Sequence, residues 1–232
     1  MSKRLTIWMN ILSILFGVVL IFELIRDTSS TGDFIGYVEA GSQVMDDGLI
    51  YKHYLNTWPP FFSVFSVLLA IGDSISYHGV RFVWLFGTLV SFFLIVRHTT
   101  NLSLGVKPKF NSGAVLRWQN PILVVPLLIS LRFLMDEMSN IQINVYMLLI
   151  VLATFVLFSK EKYLWAGLVL AFGISLKVYP IFVLFYFIFK REFKPVGWTL
   201  LFVVLINSIS FLAYGYDLAI ANYSQWATEV AP

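Results

Sequence analysis

The chain has 232 residues, 59% of them hydrophobic and 12% charged, with a mean hydropathy of +0.81. Those values exclude an ordinary soluble domain and leave an integral membrane protein. The net charge of +3 sits as Lys and Arg at the ends of apolar runs, which is membrane topology and not a nucleic-acid surface. Zero cysteines exclude disulfides, thiolate nucleophiles and cysteine-held metals.

In chain order, the first predicted element is a span over Leu5 to Ile25, and Lys3 with Arg4 places its start in the cytoplasm. It is read as a retained helix, because a run of about twenty residues with no cleavage pattern after it is not a signal peptide. The polar stretch 26–58 then lies outside. Within it Phe34, Tyr37, Val38, Val44 and Met45 fall near helical spacing, which predicts an amphipathic helix in the outer interface with Asp33 as its N-cap. Pro59 to Gly72 follows and, at about fourteen residues, is short for a crossing.

The next runs are Val80 to Val96, a basic loop 97–118, Pro121 to Leu134, and Ile141 to Phe158 ending at "SKEK". Tyr163 to Phe189 ends at "KREFK"; it is long for one helix, and Pro180 predicts a break with a turn near "SLKVYP". A last span covers Val196 to Ala213. The basic loops 97–118, 159–162 and 190–194 all ask for the cytoplasmic side. Two full crossings between Trp58 and Arg97 would put the first of them outside, so either Pro59 to Gly72 does not cross or that loop breaks the rule. The expectation is one all-α polytopic transmembrane domain over 1–232, multi-pass in the cell membrane and contacting membrane lipids, with the turn at Lys177 on the outer side.

Several polar residues carry a structural and a chemical reading side by side. Asp33 is either a cap alone or a general base at the membrane surface; capping does not conflict with the second role, since a helix N-terminus favours the anion. Lys177 interrupts an apolar run, so it either snorkels to the interface or meets a partner such as a lipid phosphate. Gln142 and Asn144 suit sugar hydroxyls or hydrogen bonds between helices. Tyr51, His53, Tyr54 and Trp58 form either a sugar platform or interfacial anchors. Asp136 and Glu137 are read as an acidic pair in a solvated outer loop, with approach to a metal or an acceptor as the alternative.

Nucleotide-binding and hydrolase motifs are missing from the sequence, so an activated donor would be one that a membrane domain binds.

"DFIGYVEAGSQVMDDGLIYKHYLNTWPPFFSVFSVLLA" resembles the first outer loop and second helix of glycosyltransferase family 87, with its Asp followed by Tyr, small-residue helix, "G..Y" and "YPP"-like helix entry. "IQINVYMLLIVLATFVLFSKEKYLWAGLVLAFGISLKVYPIFVLF" is similar to that family's "GQ.N", "aG" and "K..P" succession, with Ile141 in place of its first glycine. The resemblance implies a glycosyltransferase-C fold and a polyprenyl-phosphate sugar donor, often of mannose, acting on a lipid or glycan acceptor with inversion. By position it makes Asp33 the catalytic base and Lys177 the residue holding the donor phosphate, with Tyr37, His53, Tyr54, Trp58, Gln142 and Asn144 lining the substrate site. No cofactor is expected, and no residue is assigned as a metal ligand. Family members run to nearly twice this length, so the likeness is to their N-terminal part. The alternative class is a non-enzymatic multi-pass protein, a transporter or flippase subunit or a scaffold. The acids gather in an outer loop and no internal repeat is visible, which favours the enzyme.

Overall fold

A computed structural model describes residues 3–51, 56–104 and 121–230. Among the described residues every regular element is helical: α1 (Lys3–Asp27), α2 (Phe34–Asp46), α3 (Pro60–Ile75), α4 (Tyr77–Leu104), α5 (Pro121–Ser139), α6 (Asn144–Ser159), α7 (Tyr163–Leu176), α8 (Ile181–Phe189), α9 (Phe193–Tyr214) and α10 (Tyr216–Gln225), closed by a π-helical turn Trp226–Val230. Proline punctuates them as its missing N–H requires: Pro60 opens α3, and Pro180 stands before α8 at the break expected after "SLKV".

Links at one end of the bundle fasten to one another. Ser30 donates to the Ser139 carbonyl (2.7 Å), Arg81 Nε donates to the Ser30 carbonyl (3.3 Å), and Lys177 Nζ donates to Asn144 Oδ1 (2.8 Å). This end, the site end, therefore gathers the exit of α1, the start of α4, the α5–α6 link and the α7–α8 link. At the opposite, basic end, α6 turns into α7 and α8 into α9 through the same turn. Lys160 and Lys190 close the helices, and Glu161 (φ 57°) and Arg191 (φ 59°) take the left-handed conformation. The next amides, of Lys162 and Glu192, reach back to the Leu157 and Phe187 carbonyls (3.0 and 2.9 Å). A repeated turn is thus present where the sequence shows no repeat.

Contacts also place α3. Helix α9 runs beside α7 in the same direction, Gly167 against Trp198 and Thr199 near one end and Asn207 Nδ2 on Ser175 Oγ (2.9 Å) near the other. Tyr214, at the close of α9, donates to the Pro60 carbonyl (2.9 Å), so α3 begins at the site end. It also finishes there, since His78 Nδ1 lies 3.3 Å from the Thr28 carbonyl just past the α3–α4 corner. Of the two options for Pro59 to Gly72, the structure takes the one in which the segment does not run from end to end.

The main core packs Phe34, Tyr37, Trp58, Phe62, Trp84, Met138 and Ile143, and a second cluster around Leu170, Leu184 and Phe187 ties α7 to α8 and α9. Helix α2 turns Phe34 and Tyr37 inward and presses Gly41 against the backbone of Ser66, where a Cβ would collide with the carbonyl. The face carrying Phe34, Tyr37, Ala40 and Gly41 is thus buried, while Met45 of the expected apolar face stays exposed. Large apolar faces stay uncovered on α4 (Val83, Phe86, Phe93) and α9 (Leu201, Val204, Leu212). Tyr77–Thr99 and Phe193–Tyr214 are long and apolar enough to cross a membrane. Surfaces of this kind are stable against hydrocarbon and aggregate in water.

Several expected boundaries move. Helix α4 continues through Arg97 to Leu104, and the remainder of the loop 97–118 lies outside the described residues. Helix α5 runs past Leu134 to Ser139, because Leu134 and Met138, one turn apart, are both buried. Asp136 and Glu137 therefore stand on a helix and not in a loop. Helix α6 starts at Asn144, leaving Gln142 in the link before it.

Candidate functional site

The segment before α2 is fixed from two sides. Against α5–α6, the Asp33 amide donates to the Asn140 carbonyl (2.8 Å). Gly32 makes this approach possible: it has φ +42°, and a Cβ would strike the Asn140 backbone. On the other side Arg81, 1% exposed, pairs with Asp73, donates to the Tyr77 carbonyl (3.0 Å), and lays its guanidinium 5.0 Å from the Phe34 ring centre.

Asp33 stands at the N-cap position but does not cap. Its backbone is already helical (φ −68°, ψ −18°), a geometry that does not present the carboxylate to the next turn's amides, and it makes no capping hydrogen bond. The exposed carboxylate is instead left free to act, with that of Glu137, to hold the Lys177 ammonium charged.

Lys177 follows the last residue of α7 in extended backbone, which lifts its side chain out of the helix and toward α5 and α6. Nζ donates to Asn144 Oδ1 at 2.8 Å. Asn144 Nδ2 in turn donates to Glu137 Oε1 and to Gln142 Oε1, each at 2.8 Å. One amide thus connects the cation, the acid and the second amide, and each of its atoms is used. Burial lowers the Lys177 pKa, with Asp33 and then Glu137 acting to raise it. The ammonium also lies 5.5 Å from the Tyr179 ring centre.

Tyr37 is 1% exposed, and its phenol faces the Ile143 backbone and the carboxylates of Asp33 and Glu137. Burial and then Asp33 push its pKa well above the ordinary phenol range, so it remains a hydroxyl donor. Trp58 packs edge-on against Tyr37 (ring centres 4.8 Å apart) and is buried behind it. Its carbonyl accepts from Tyr51 Oη at 2.6 Å. Trp84 Nε1 donates to the Gln142 carbonyl (3.4 Å) and its own carbonyl accepts from Tyr146 (2.5 Å), which steadies the link from beneath.

Asp33, Tyr37, Gln142, Asn144 and Lys177 therefore meet at the site end, with Trp58 behind Tyr37. His53 and Tyr54 lie outside the described residues. Glu137 was missed as a member of this group, and the signal for it was present: Leu134 and Met138 continue the helical apolar spacing and carry Glu137 along on the helix. Arg81 and Tyr179 were also missed. A lone arginine at the start of an apolar run has the same sequence signature whether it anchors a helix or pins a loop.

Described elements that are all helical, with uncovered apolar faces and a half-buried ammonium among carboxylates and amides at one end, define a membrane protein with a polar site at a bundle end. The chain belongs to glycosyltransferase family 87, whose pattern it matches over residues 56–231, and it is in that sense a membrane glycosyltransferase. Trp58, Glu137, Gln142, Asn144 and Lys177 fall inside the match, and Asp33 and Tyr37 precede it. No curated protein and no solved structure matches the chain significantly.

Proposed function

We propose that the chain transfers a sugar, a hexose such as mannose, from a polyprenyl-phosphate donor to a hydroxyl of a lipid or glycan acceptor on the extracytoplasmic face of the cell membrane. The observation that carries this reading is that Asp33 and Lys177, far apart in sequence, are both held at the α5–α6 junction, Asp33 through its amide on the Asn140 carbonyl (2.8 Å) and Lys177 through Asn144 (2.8 Å). A glycosyltransferase-C type bundle that crosses the membrane several times is part of this proposal, supported by the family match and the two long apolar helices. With Lys160, Lys162, Lys190 and Arg191 on the inner side, the site end faces out. A membrane carrier would hold its charges at mid-depth, whereas Lys177 stands past the end of α7.

In the proposed step Asp33 takes the proton of the acceptor hydroxyl as that oxygen attacks the anomeric carbon. The bond from this carbon to the phosphate oxygen breaks on the opposite face, and polyprenyl phosphate leaves with the electron pair. Configuration at the sugar inverts. Lys177 holds the phosphate and stabilises the charge that gathers on the leaving oxygen. Gln142 supplies a hydrogen bond that orients the substrates, Asn144 sets Lys177, Glu137 and Gln142 relative to one another, Tyr37 and Trp58 back the site from within, and His53 and Tyr54 form its aromatic side. Incubating the purified chain with radiolabelled polyprenyl-phosphate hexoses and extracted membrane lipids should give a labelled glycolipid from at least one donor. Transfer from a nucleotide sugar, and from no polyprenyl phosphate, would sink the reading.

A further inference from the structure

Glu137 is half-buried, and of its two carboxylate oxygens only Oε1 accepts a hydrogen bond. Oε1 accepts from Asn144 Nδ2, but Oε2 is shielded from solvent and has no hydrogen-bond partner. A buried carboxylate oxygen without a donor is costly unless something else supplies one. Its surroundings say which kind of group that is. Lys177 acts on Glu137, and the Asn144 amide joins them. Burial acts first on this carboxyl and raises its pKa, while the Asn144 amide and then the Lys177 ammonium oppose it and favour the ionised form, in which Oε2 is an acceptor and its missing partner is a donor. A phosphate offers no donor and would be repelled. A sugar hydroxyl fits.

We infer that Glu137 binds the transferred sugar, its Oε2 accepting a hydrogen bond from one hydroxyl of the donor's hexose. This rests on the function proposed above: with the phosphate on Lys177, the part of the donor one amide away from it is the sugar, while the acceptor hydroxyl is engaged by Asp33. The role is one of selection. A site with a charged acceptor set for one hydroxyl discriminates against sugars lacking it, because the carboxylate oxygen then stays buried and unpaired.

The test uses the purified chain with the parent polyprenyl-phosphate sugar and a set of donors each missing one hydroxyl. For the wild type, one deoxy donor should lose kcat/KM on the order of ten- to a hundredfold, the worth of one hydrogen bond to a charged group. Glu137→Gln keeps an oxygen for Asn144 and replaces Oε2 by an amide nitrogen. Its parent-donor kcat/KM should fall toward that of the same deoxy donor, while the ratios for the other deoxy donors hold. Unchanged discrimination at every hydroxyl in Glu137→Gln would overturn the inference, as would undiminished kcat/KM on the parent donor. Should Glu137→Gln fail to fold, Glu137→Asp, which keeps the charge and shortens the reach, goes through the same panel; weakened discrimination at that one hydroxyl supports the inference and an unaltered pattern overturns it. Failure of the wild type to use any polyprenyl-phosphate donor is a separate result, one that removes the proposed function itself.

Discussion

Lys177 was legible because a single charge inside an apolar run is expensive unless it meets a partner. Asp33 and Asn144 were joined to it only by the family resemblance, and Glu137 was not, since all three arrive from other parts of the chain. The electrostatics of this residue give a prediction of their own. Burial lowers its pKa, and the phosphate-holding role requires the ammonium, so the alkaline loss of activity should begin below the range of an exposed lysine. Arginine stays protonated throughout. A pH profile of kcat/KM should therefore show an alkaline limb in the wild type that Lys177→Arg lacks, whatever absolute rate the variant retains. The same limb in both proteins would assign the titration to another group. Asp33 was legible as a polar group at a helix start, and its supposed capping was not borne out: a helical backbone at that residue turns the carboxylate away from the amides and leaves it to the site.

Among the elements, breaks set by proline were readable and breaks set by packing were not. Pro180 separates α7 from α8 where expected, whereas the end of α5 depends on Met138 finding a buried place, which only the folded neighbours decide. The α5–α6 link shows a further departure from local preference. Ile141 has φ 46°, in the region that disfavours β-branched side chains, and its own side chain is fully buried. The resemblance places a glycine at this position in the family. Burial of the side chain holds the backbone there, and the next residue is Gln142. Replacing Ile141 by either small residue removes the buried side chain, but alanine keeps a Cβ that opposes the positive φ and glycine does not. Ile141→Gly should thus be more stable than Ile141→Ala by about 1 kcal/mol, the reverse of their order within a helix. Unfolding of both variants in detergent checks this, and a more stable alanine variant would mean that the link relaxes to an ordinary conformation.

At the level of the whole molecule, the all-helical class and the placing of basic turns at one end followed from composition and from charge at run ends. The course of α3 could not be read this way. Its length is compatible with a short crossing, and the long-range bonds from Tyr214 to Pro60 and from His78 to Thr28 settle the matter. The absence of cysteine makes the proposed topology directly measurable. Single cysteines at Ser76 and Val178 should react with a membrane-impermeant maleimide from outside intact cells, and cysteines at Lys162 and Arg191 only after the membrane is opened. Labelling of Ser76→Cys and Val178→Cys from opposite sides would break the common site end.

The central claim is that Asp33 and Lys177 form one transferase site, and it is tested most directly at Asp33, whose exposed carboxylate makes no capping bond that a substitution would remove. The decisive measurement compares sugar transfer and donor binding by the wild type and Asp33→Asn in the same detergent preparation. The expected result is loss of transfer by at least two orders of magnitude, the lower range for a general base, with donor affinity and thermal stability close to wild type. Full transfer by Asp33→Asn would contradict the account.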